Sequence, residues 1–98
     1  MSVTVIYSFE AAPGKADDLL AILRQGREFS ATVEGCEGFE VYQGDDDPHR
    51  FVMVERWASV DAHQEHFETN VRASGVLDAA QALMTAPFQV DDAYYVLR

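Results

Sequence analysis

Glu55, Trp57, His63 and His66 stand close together in this chain. An imidazole titrates near neutral pH, so His66 is the residue best suited to take a proton from a ligand. The hydroxyls of Tyr7 and Tyr42 and the indole of Trp57 can donate hydrogen bonds to a ligand oxygen. Phe39, Phe67 and Met53 could wall an apolar cavity around such a ligand. The bland alternative makes His66 a half-buried structural imidazole bonded to backbone. Glu55 and Trp57 are two apart, so on a strand they share a face. Either they flank a pocket, or Trp57 is core and Glu55 pairs with an arginine, Arg56 or Arg50 of a neighbouring chain. The second arrangement is the expectation.

Other chemistry is disfavoured. His63 and His66 lie three apart and share a helical face. Zinc takes three or four protein ligands, and no H-E-x-x-H run supplies them. Glu65 and Asp61 are near, but His49 sits in a distant loop, so no metal is expected. The acidic run Asp45-Asp46-Asp47 lacks calcium-loop spacing and is followed by Pro48, which reads as a solvated turn. There is no phosphate-cradling glycine loop, no Ser-His-Asp arrangement and no dinucleotide fingerprint. The lone Cys36 cannot form an internal disulfide, fits a reducing compartment and reads as packing.

Six elements must position these residues. Residues 3–9 are β-branched and aromatic and predict a strand. Pro13-Gly14 ends it. Residues 16–33 place Leu19, Ile22, Leu23, Gly26, Ser30 and Val33 at helical spacing, with Asp17 and Asp18 in the first turn. Residues 39–43 and 51–57 predict two strands joined by a hairpin through Gly44-Asp45-Asp46-Asp47-Pro48. Ser59 caps a helix over 60–70. Residues 71–84 continue it or form another, with a kink near Gly75. Residues 87–97 predict the last strand, with Asp91-Asp92 as a bulge or bend. The order β-α-β-β-α-β is the ferredoxin-like pattern: a four-stranded antiparallel sheet with helices on one face.

The sheet cannot be finished by this chain alone. Val3, Val5, Tyr7 and Phe9 share one face of the first strand, yet Ile6 is on the other. Residues 51–54 and 93–97 are apolar on both sides. Two helical segments cover one face only, so a second copy is the simplest cover for the other. Residues 1–98 make one domain. With 17 acidic against 7 basic residues, the net charge of −10 repels phosphate backbones and anionic membrane, so neither nucleic acid nor membrane is expected as a partner. The N-terminus lacks the basic and cleavable segments of a signal peptide, which points to the cytoplasm.

Four stretches carry a family likeness. They are Phe9 with Pro13-Gly14-Lys15; Gly35-Cys36-Glu37-Gly38-Phe39-Glu40-Val41-Tyr42; Asp47-Pro48 with Phe51; and Glu55-Arg56-Trp57, Ser59 and His66. Together they resemble the antibiotic biosynthesis monooxygenase (ABM) family along nearly the whole chain. The family often has a second histidine five residues after the first, and here Val71 holds that place. The resemblance implies a dimeric α+β barrel, two sheets packed face to face. It also implies a cofactor-free monooxygenase acting on a small phenolic or quinol-like molecule. His66 would be the catalytic residue, with Trp57, Tyr42, Phe39, Phe67, Tyr7 and Met53 against the substrate. Haem is disfavoured by the residues themselves, since the first strand has no Asn or His and no histidine follows Val71. A non-catalytic small-molecule-binding or stress-related dimer of the same fold is the alternative.

Overall fold

The computed structural model describes residues 2–86, together with the backbone of 89–90 and 94–95. Its centre is β1 (Val3–Glu10), where every second residue is buried. That period-two alternation turns Val3, Val5, Tyr7 and Phe9 to one face. β1 pairs antiparallel with β3 (Arg50–Trp57) along its whole length, from Val3 opposite Trp57 to Glu10 opposite Arg50. β3 pairs antiparallel with β2 (Cys36–Gln43), with an irregularity between Cys36 and Gly38. The β2–β3 hairpin closes through Gly44 N–H to the Arg50 carbonyl and Arg50 N–H to the Asp47 carbonyl. A Cβ on Gly44 would sit 2.5 Å from the Asp47 carbonyl oxygen, so this turn admits only glycine.

Beyond β1, the single last strand expected over 87–97 is seen as two short pieces, β4 (Gln89–Val90) and β5 (Tyr94–Tyr95). Both pair with β1, at Tyr7–Val90 and Ser8–Gln89 and at Val3–Tyr95 and Thr4–Tyr94. The sheet order is β2-β3-β1-β4, with β5 also on β1. The bend expected at Asp91-Asp92 lies outside the described residues. The fold is thus α+β and ferredoxin-like, built on three eight-residue antiparallel strands.

α1 (Ala16–Ser30) buries Leu19, Leu23 and Ser30 against the inner face. It stops three residues short of the expected end. Thr32 Oγ1 donates to the Phe29 carbonyl at 2.7 Å, and Val33 N–H bonds the Ser30 carbonyl, tightening the chain into a turn. The Gly35 turn that follows needs its left-handed φ of 94°, and a Cβ there would lie 3.0 Å from Ala62 Cβ. The loop therefore presses close to the start of α2 (Val60–His66).

Ser59 caps α2: its backbone is extended, and its hydroxyl accepts from Ala62 N–H at 3.1 Å. After His66 the helix widens into a π-helical segment, Phe67–Arg72. Its closing bond, Ala73 N–H to the Glu68 carbonyl, steps five residues. Gly75, at φ 85°, breaks the chain and α3 (Val76–Gln81) follows. The kink expected near Gly75 is therefore a break, and the helix over 60–70 divides at His66. All helices lie against the face of Val3, Val5, Tyr7, Phe9, Phe51 and Trp57, which form the core.

Candidate functional site

A cavity of about 90 Å³ opens between the inner sheet face and the helices, enough for several waters. Tyr7, Phe39, Met53 and Glu55 form its floor, and His66, Phe67 and Val71 part of its roof. Gly26 lies in the middle of α1 at the wall, and a Cβ there would meet nothing within 4 Å. Its missing side chain is part of the space.

Glu55 is 3% exposed on the floor. Its Oε1 accepts from the Trp57 indole N–H at 2.9 Å. Burial raises its pKa to about 7, against the opposing pull of the indole bond. No described residue pairs it as an ion. Within the chain, neither Arg50 nor Arg56 can be that partner. Arg50 and Arg56 occupy the even positions of β3, on the opposite face from Glu55, and both are exposed. Trp57 is fully buried, as core. It reaches the site through Glu55 rather than by lining the cavity.

His66 is also buried, at 4% exposure. Its ring lies between the Trp57 indole, 4.8 Å away, and Phe29, 6.4 Å away. Asn70 Nδ2 donates to its Nδ1 at 3.1 Å. The ring proton therefore sits on Nε2, which donates to Ser30 Oγ at 3.2 Å. Ser30 lines the cavity at the end of α1, with its own hydroxyl hydrogen left to give. Burial lowers the His66 pKa and keeps the ring neutral.

A second pair stands beside the first. The Tyr7 hydroxyl and His63 Nε2 are hydrogen-bonded at 2.5 Å. Burial, and then the Glu55 charge, push the Tyr7 phenol well above its ordinary range. Burial, and then the charge of His66, lower the His63 pKa. Both groups therefore stay neutral at ordinary pH. His63 also packs edge-on to Trp57, with centroids 6.0 Å apart.

The structure thus brings His66, Tyr7, Phe39, Phe67 and Met53 to one cavity, with Trp57 directly behind it. Tyr42 does not join them. It is 55% exposed on the outer sheet face, because it lies at odd spacing from Phe39 on the same strand. Sequence reasoning missed two groups, Ser30 and Asn70. Ser30 was legible as a lone hydroxyl on an apolar helical stripe. Asn70 was legible as a polar residue four after His66. Glu55 was singled out, and its partner within the chain is the Trp57 indole. Among the described residues no group of three or more His, Cys, Asp or Glu side chains could hold a metal ion. None of the described helices is long and apolar enough to cross a membrane.

The sequence profile described as antibiotic biosynthesis monooxygenase matches residues 2–83, and the chain belongs to that family. No curated protein matches it. Among solved structures, PA3566 from Pseudomonas aeruginosa is 30% identical, with a TM-score of 0.83 over 99% of this chain and 95% of that one. Rv0793 from Mycobacterium tuberculosis is 24% identical, with a TM-score of 0.87 over 100% of this chain and 97% of that one. A conserved protein from Methanosarcina mazei Go1, only 16% identical, has the same fold at a TM-score of 0.87, over 99% of this chain and 94% of that one.

Proposed function

We propose that this chain is a cofactor-independent monooxygenase for a small phenolic or quinol-like molecule, acting as a cytoplasmic homodimer. The observation that carries the reading is one apolar cavity holding a buried carboxyl, Glu55, and a buried donor pair, His66 with Ser30. Family membership supports it.

The chemistry asks for little. The substrate hydroxyl loses its proton, and the resulting anion gives electrons to dioxygen. One oxygen atom enters the substrate, and the other leaves as water with two substrate hydrogens. An anthrone-like CH₂ becomes C=O in this way. The protein must supply a proton acceptor, a donor for the anion, and a dry cavity. His66 serves on the donor side: its Nε2–H holds the Ser30 oxygen, so the Ser30 hydroxyl hydrogen turns to the substrate anion. A free imidazole acceptor would need Nδ1, which Asn70 already occupies. Tyr7, Phe39, Met53 and Phe67 pack against the substrate ring, and Trp57 fixes Glu55 from behind.

Dimerisation supplies what the chain lacks. Ile6 lies opposite Val54, and Val52 opposite Tyr42, on the outer face. Val52 is 37% exposed and Tyr42 55%. A second copy covers this band, with an interface above the ~1,200 Å² of stable pairs.

The test is oxygen uptake with a panel of quinols and anthrone-like phenols, comparing wild type with His66→Ala. Stoichiometric uptake that falls by about 10²-fold or more in the variant supports the reading, as loss of a buried donor does elsewhere. Saturable binding with no uptake by any panel member would make the protein a binder instead.

A further inference from the structure

We infer that Glu55 is the proton acceptor of this cavity, and that the cavity therefore takes an uncharged hydroxylated aromatic and refuses a carboxylate. This rests on the reading of the cavity as the substrate site, but not on any oxygen chemistry.

The argument begins with what surrounds the carboxyl. From β3 itself, Trp57 holds Oε1. The second oxygen has no protein donor among the described residues, and Glu55 lines the cavity. β1 contributes Tyr7, a neutral phenol already bonded to His63. β2 places Phe39 directly opposite Glu55, and Cys36 nearby, a thiol that burial and the charges of Glu55 and Glu37 push up. α2 contributes the neutral His66, and α1 the Ser30 hydroxyl. The residues of α3 on the wall, Val76, Leu77 and Ala80, carry no titratable group. No lysine or arginine lines the cavity among the described residues.

A buried carboxylate with one oxygen satisfied and no cation beside it wants a donor. A ligand O–H supplies one. The step is then simple: the substrate O–H bond breaks, its proton bonds to the Glu55 carboxylate, and the electron pair stays on the substrate oxygen. A carboxyl poised near neutrality suits that transfer. A carboxylate ligand would instead set two negative charges against each other in a site without a cation, and it binds only after Glu55 is protonated.

The experiment uses two probes of the same size, phenol and benzoate. Binding to the purified protein is read by fluorescence of the single tryptophan, Trp57, from about pH 5 to about pH 9. Phenol stays neutral and benzoate anionic over nearly all of that range. The expected result is opposite pH dependence. Phenol binds roughly tenfold tighter at about pH 8 than at about pH 6, and benzoate roughly tenfold weaker, with both limbs absent in Glu55→Gln. The amide keeps the size and the acceptor for the indole. If Glu55→Gln fails to fold, the opposed limbs in wild type decide alone. The inference is overturned if phenol does not bind, if benzoate binds as tightly as phenol at about pH 8, or if a folded Glu55→Gln keeps the same limbs. Opposed limbs without oxygen uptake support the inference while removing the monooxygenase reading. Uptake whose pH limb survives Glu55→Gln sinks the inference and leaves that reading standing.

Discussion

The two faces of this sheet are woven from the same strands and behave oppositely. On the inner face, Val3, Val5, Tyr7, Phe51 and Trp57 are at most 3% exposed. On the outer face, their immediate neighbours Thr4, Ile6, Val52, Val54 and Arg56 remain partly or fully open. The inner face also holds polar groups that have found partners: Glu55 with Trp57, His66 with Ser30 and Asn70, Tyr7 with His63. The outer face sets Ile6, Val52, Val54 and Tyr42 side by side. One face is complete within the chain and borders the candidate site. The other is apolar without being covered by the chain's own helices, and that is the character of an association surface.

Removing Trp57 should break the inner face most severely. Trp57→Ala is expected to cost about 3–5 kcal/mol, because a large buried ring leaves a cavity and Glu55 loses its donor. Thermal or denaturant unfolding measures it. An unchanged melting temperature would mean that the inner face does not hold the fold.

Glu55 sharpens the contrast through pH. The fold raises its pKa from 4.5 to about 7, so the folded chain binds that proton more firmly than the unfolded chain does. This contribution is fully present below about pH 4.5 and lost as pH rises through about 7, a swing of roughly 3 kcal/mol. Glu55→Gln should therefore gain stability on wild type across that window, measured by urea unfolding at several pH values. The same variant should lose oxygen uptake by a factor of about 10²–10⁴. His63 and His66 act in the opposite sense. Their pKa values are lowered by the fold, so their contribution is present above the ordinary imidazole pKa and lost as pH falls.

A gentler probe fills the cavity. Gly26→Ala should gain roughly 0.5–1 kcal/mol of helix stability, since the new methyl meets nothing. It should also weaken binding of the larger panel members, read from KM. The smallest change in fold stability belongs to the outer face. Val52→Glu should move the folding stability of the monomer by only about 0.5 kcal/mol, yet convert dimer to monomer in analytical ultracentrifugation. A wild-type chain that sediments as a monomer at micromolar concentration would erase the distinction between the faces.

Much of this was legible in the sequence, and the reasons are local. Strand parity put Val3, Val5, Tyr7 and Phe9 on one face and Glu55 with Trp57 on one face, and the structure keeps both groupings. The Ser59 cap was legible because a hydroxyl before a helical run has one obvious use. The end of α1 was not, since Ala31, Thr32 and Val33 carry the helical spacing onward while Thr32 bonds back and closes the turn. Tyr42 was misplaced although parity with Phe39 would have excluded it. The partners of Glu55 and His66 were hidden because they are long-range or side-chain choices. Ser30 is 36 residues from His66 in sequence. That the indole of Trp57 would turn to Glu55 depends on which arginines share the face.

The wide turn after His66 has a consequence for chain length. An α-helix carries one residue fewer per such turn, so the stretch Phe67–Arg72 could lose a residue and remain helical. What it would keep is phase. The wide turn needs one residue more than an α-turn to come round, so a single deletion at Thr69 would leave Asn70 and Val71 on nearly the same side of the helix, three and four residues after His66, with Gly75 still there to break the chain. The stretch thus carries one spare residue, and a single deletion there would shorten the helix while leaving the site nearly in place.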